Sequence, residues 1–97
     1  MTEQTTIATF TPHLGDTFRM VVNDEWEIHM VLVEAEALDA DSRSVREPFS
    51  LIFRAPPQAV VAQQLFRLEH DDIEPFEIFL VPLGPDELGM RYQAVFN

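Results

Sequence analysis

Cysteine is absent from this 97-residue chain, and so is lysine. The first absence removes disulfides, thiolate-held zinc and thiol nucleophiles together. The second removes Schiff-base chemistry and any phosphate-loop lysine. Glycine is scarce, and Gly15, Gly84 and Gly89 are too scattered to form a phosphate-cradling loop. No apolar run approaches the roughly 20 residues that a membrane-spanning helix needs. The opening MTEQTTIATF lacks the basic-then-apolar order of a secretory leader. The expectation is a cytoplasmic protein without membrane contact, although export inside a larger assembly would leave no trace here.

Positive charge is also thin. All six Lys+Arg positions are Arg, against 17 carboxylates, which gives a formal net charge of −11. Such a surface repels polyanions, so nucleic acid is not an expected partner. Solubility, or a basic protein partner, suits the charge better. Ser42, Ser44 and Ser50 are the only serines, and none sits in a nucleophile elbow. His13, His29 and His70 fall outside the spacings that mark a zinc site, so metal ligands would have to come from distant segments. No catalytic residue, no metal and no cofactor is therefore expected, and the chain is not read as an enzyme.

What the chain does contain is alternation. Period-two patterning marks strands. In TFRMVV, Phe18, Met20 and Val22 share one face. Asn23-Asp24 is a turn signal, and Trp26, Ile28, Met30 and Leu32 then alternate. After Leu32 the apolar parity passes to Val33, Ala35 and Ala37, which predicts a bulge or a stretch buried on both faces. Residues 38–47 are polar and aperiodic, the expected mobile loop. PFSLIFRAP turns Phe49, Leu51 and Phe53 inward, and Pro57 with the following Ala/Gln-rich residues predicts a helical turn or two over 57–65. FRLEH and FEIFLV read as a hairpin around a loop of about five residues, and MRYQAVF is a last strand.

Ninety-seven residues make one domain, 1–97. About six antiparallel strands, with at most one or two short helices, predict an all-β small barrel or sandwich, with a meander favoured. Two groups of residues then stand out. Ile52, Phe79, Val81 and Val95, with Val31 as a possible fifth, have the parity opposite to the core. They form either a second face covered by the 57–65 segment or a partner-binding surface. His70 has core parity amid Glu69, Asp71, Asp72 and Glu74, which predicts an imidazole bonded to turn backbone or to an Asp. With Tyr92 it is the alternative polar site, the centre of a small-ligand-binding barrel or weak enzyme.

The order of FTPHLGDTFRM, PFSLIFRAP, FRLEH, FEIFLVPLGP and GMRYQAVFN resembles a family of short bacterial proteins of unknown function, from about Phe10 to Asn97. Its pattern falls on Gly15, Phe18, Phe49, Leu51, Phe53, Arg54, Leu68, Glu69, His70, Phe76, Phe79, Pro82, Gly84, Tyr92, Phe96 and Asn97. Glu74-Pro75 departs from it, since the family more usually has a glycine before the Phe. Such proteins are often encoded near phage-tail-collar-type fibre proteins. The resemblance implies an accessory protein that assembles or chaperones such a fibre partner, or associates with itself. A partner strand could add to an exposed edge, with the 48–54 strand or the last strand as candidates.

Overall fold

The computed structural model describes residues 6–38 and 48–96. A four-residue helix α1 (Ile7–Phe10) runs into a 3-10 turn (Thr11–His13). Six strands follow: β1 (Thr17–Asn23), β2 (Trp26–Ala37), β3 (Phe49–Ala55), β4 (Gln64–His70), β5 (Ile73–Pro85) and β6 (Met90–Phe96). They are antiparallel and close into a barrel, as the alternation predicts. Of the expected mobile loop, 38–47, residues 39–47 lie outside the described residues.

The strand order around the barrel is β1-β2-β3-β6-β5-β4, which corrects the expected meander. Each half is a three-stranded meander, but β4 returns beside β1, the Greek-key arrangement of four strands. In this order β3 and β4 lie diametrically opposite. Residues 56–63 must therefore span the barrel mouth, and this explains why they form no helix. Ala59 is buried in that crossing. The Tyr92 hydroxyl holds the crossing, donating to the Ala59 carbonyl at 2.6 Å and accepting the Val61 N–H at 3.0 Å. The segment thus caps an end of the barrel and is not laid over the outer face.

The irregularity predicted after Leu32 is present, with the β2–β3 register shifting between Leu32 and Glu34. The β4–β5 hairpin is tighter than expected. His70 pairs with Ile73, so only Asp71 and Asp72 form the turn, and β5 starts at once. At the β5–β6 turn, Gly84 takes a φ of 104° at the register shift between Pro82 and Gly84, where a side chain would be strained. A Cβ on Gly89 would overlap the Ala55 carbonyl oxygen, so the close approach of these two backbones depends on glycine.

β5 changes neighbours along its length. From Ile73 to Leu80 it pairs with β4, and from Val81 to Pro85 with β6. Before Val81 no described residue pairs with its second edge, and β6 from Ala94 to Phe96 pairs only with β3. The two strands part there in a seam. Phe10 fills the seam from inside, its ring 5.6 Å from Phe76 on β5 and 5.5 Å from Phe96 on β6. Phe18 and Phe49 complete its surroundings at 6.5 and 5.9 Å. The strand pattern gave no hint of this wedge, because α1 is too short to show helical periodicity.

β3 is paired with β6 throughout and with β2 from Phe49 to Arg54, which removes the 48–54 strand as an edge for a partner. Among the described residues the last strand is unpaired on its β5 side from Ala94 to Phe96.

Phe10→Ala should cost about 3–5 kcal/mol, the range for a wholly buried Phe. The check is a fall in the urea midpoint of unfolding by the matching amount, at an unchanged slope.

A carboxylate-bridged histidine pair and an apolar outer face

The acids around His70 do not converge on it. Arg19 contacts Asp71 at 3.2 Å and Glu69 at 3.8 Å, while Arg67 takes Glu69 at 3.0 Å. The carboxylate that meets His70 comes from the opposite end of the sequence. One oxygen of Asp16, Oδ2, accepts hydrogen bonds from His70 Nε2 and from His13 Nδ1, each at 2.9 Å. The imidazoles meet edge to face, 4.6 Å between centroids, and the His70 ring also lies 4.6 Å from that of Phe18. The His70 side chain is only 6% exposed.

Local geometry explains how Asp16 arrives there. The Pro12-containing 3-10 turn is closed by the Leu14 N–H donating to the Thr11 carbonyl, and the turn after it by the Asp16 N–H donating to the His13 carbonyl. Gly15 N–H then donates to the Leu32 carbonyl, and Leu32 N–H donates to the Asp16 carbonyl. These bonds dock the turn on β2, and the side-chain bridge ties it to the end of β4. Sequence reading missed His13 and Asp16 as partners of His70. Their i, i+3 spacing beside Pro12 and Gly15 indicated a turn, but nothing local pointed across 54 residues to His70.

Three potential ligands, His13, Asp16 and His70, offer atoms within 4.8 Å of one another. Hydrogen bonding argues against a preformed metal centre. The Asp72 N–H donates to His70 Nδ1 at 3.0 Å, so the neutral ring carries its proton on Nε2 and gives it to Asp16. A metal on Nε2 would move that proton to Nδ1, against the amide hydrogen already there. Histidine ligands instead turn their second nitrogen as a donor to an acceptor. The arrangement is suited to fastening the 3-10 turn over the barrel end.

The cluster also shifts Asp16. Hydrogen bonds from His13 first, and then from His70, hold its carboxyl below the usual aspartate range. A second carboxylate behaves alike at the β5–β6 turn. Asp86 is lowered to about 2, first by Arg54, whose guanidinium lies at 2.6 Å, and next by the backbone N–H of Leu88.

Tyr92 does not join His70. Its side chain is buried and its hydroxyl is committed to the Ala59–Val61 crossing, so the two halves of the alternative polar site serve opposite ends of the barrel. A shallow, open depression lined by Trp26, His29, Pro56 and Gln58 lies at the Tyr92 end, away from His70.

The apolar residues of outward parity do come together. Ile52 on β3 pairs with Gln93 on β6, and Gln93 pairs with Val81 on β5. Val95 and Phe79 stand two residues further along those strands, and Phe79 pairs with Leu65 on β4. Leu65, Phe79 and Val95 are 58, 47 and 42% exposed, and Ile52 and Val81 are half-buried. Leu65 extends the predicted set. It was missed because the strand was read as starting at Phe66, two residues after β4 begins, with Leu65 in the expected helical turn. Val31 is exposed too, but on β2 opposite Arg54. Glu34 and Glu36 flank Ile52 and Ser50 on one side, and Glu77 follows Phe79 on the other.

Among the described residues no helix is long and apolar enough to cross a membrane. Residues 5–96 match the model of a family described as a domain of unknown function, DUF6916, and the chain belongs to that family. No curated protein and no solved structure gives a significant match.

Because both folded-state carboxyls are depressed, their stabilisation is full above the unfolded value of 3.8 and is lost as pH falls through the folded values. Asp16→Asn and Asp86→Asn should each lower the urea midpoint near neutral pH. That difference from wild type should shrink as pH falls from 4 to about 2, the value for Asp86. Zinc should leave the midpoint unchanged, whereas a preformed site would add about 4 kcal/mol at a thousandfold excess of metal over its Kd.

Proposed function

From membership of a family without an assigned activity, we propose that this chain is a non-enzymatic interaction domain. Its outer face on β3, β6, β5 and β4 docks a different protein. The observation that carries this reading is the contiguity of Ile52, Val81, Phe79, Val95 and Leu65 across four neighbouring strands. Aromatic and aliphatic side chains left on an outer sheet face mark interaction surfaces more often than accidents of composition.

Charge selects the kind of partner. Glu34, Glu36 and Glu77 border the apolar residues, and the whole chain carries a net charge of −11. A second copy would bring the same acidic border against its own. A partner with an apolar centre and basic surroundings fits instead. The resemblance to proteins encoded near phage-tail-collar-type fibres suggests a subunit of that kind, which this domain would assemble or chaperone.

The ligand-binding or weakly enzymatic reading around His70 has less support. His70 and Tyr92 each spend their polar atoms on internal bonds, and the barrel interior holds Phe, Leu and Met side chains.

The test is co-expression with the neighbouring tail-collar-type protein, followed by size-exclusion chromatography with light scattering. Co-elution at a fixed stoichiometry is expected. Phe79→Ser and Ile52→Ser should weaken it at least about tenfold, or 1.4 kcal/mol each. Separate elution of two intact proteins would remove the reading.

A further inference from the structure

An unpaired strand edge presents N–H and C=O groups that another strand can satisfy. The barrel leaves such a stretch where β5 and β6 part. Phe76–Leu80, FEIFL, is rich in aromatic and β-branched residues and pairs with β4 alone among the described residues. Pro75, which has no N–H to offer, precedes it; proline inside a sheet is confined to edges of this kind. Phe79 and Val95 stand exposed on the outer lips of the seam. Phe10 fills it from within, so the core stays closed beneath.

We propose that this seam is a strand-docking site. An extended segment of a different protein pairs with the edge of β5 that is unpaired among the described residues, over Phe76–Leu80. On its outward face apolar side chains rest on Phe79 and Val95 and a basic one lies beside Glu77, while its inward face is apolar over the core. This rests on the interaction reading and gives it a mechanism: main-chain bonds supply affinity, and alternate side chains supply selectivity. The charge fixes the occupant. Self-pairing would bring two chains of net charge −11 edge to edge, and like charges repel at contact. A segment with a basic residue opposite Glu77 reverses that sign.

The probe is a capped eight-residue peptide, VRVVVRVV, whose odd positions are all valine and whose even positions take arginine and valine in turn. Two further versions are N-methylated at either the odd or the even positions. Only alternate N–H groups of a docked strand face its neighbour. A ladder therefore tolerates one methylated version and loses the other, whereas contact through side chains alone treats them equally. The expected result is binding of the parent at better than about 1 mM. Binding should slow amide exchange at residues 76–80, seen by NMR, and one methylated version should bind about tenfold more weakly. Equal binding by all three, unchanged exchange at 76–80, or no binding of the parent would each overturn the proposal. The interaction reading is judged separately. If the fibre partner co-elutes and Ile52→Ser on β3 weakens it while exchange at 76–80 does not change, the face stands and the seam falls. If no partner co-elutes, the interaction reading itself falls.

Discussion

The barrel depends on one strand serving two neighbours in turn. β5 is thirteen residues long, and it spends its first part on β4 and its last on β6. Closure is therefore a backbone matter at one end and a side-chain matter at the other. Where the ladder between β5 and β6 stops, Phe10 takes over, touching both strands and two further rings. Aromatic packing here substitutes for hydrogen bonds, and a four-residue helix is retained because its last residue is needed in the core.

The same division accounts for the two capped ends. At one, the β3–β4 connection must cross the mouth, and the Tyr92 hydroxyl satisfies two backbone groups of that crossing that would otherwise be buried unpaired. At the other, Asp16 collects two imidazoles and fastens the turn that delivers Phe10. Polar residues that look chemically active in the sequence are thus structural fasteners. The apolar residues outside the core carry the interaction reading instead.

Much of this was legible in advance. The inward set Phe18, Met20, Ile28, Met30, Leu32, Phe49, Leu51 and Phe53 follows from strict alternation, because a strand turns successive side chains to opposite faces. The bulge after Leu32 followed from the change of parity. Ile52, Phe79, Val81 and Val95 were recognisable as outward for the same reason. That they adjoin one another was not recognisable, since adjacency depends on β3 lying beside β6.

The sequence by itself determined which residues face in, where the chain turns and that the surface is acidic. Each is a local property, set by backbone period, turn chemistry or a sum of charges. Tertiary structure alone decided the Greek-key order, the mouth crossing at 56–63, the seam between β5 and β6 and the meeting of His13 and Asp16 with His70. Those features join segments far apart in the chain. Their selection depends on which strands can pair while every buried polar group finds a partner, and no local pattern encodes that condition.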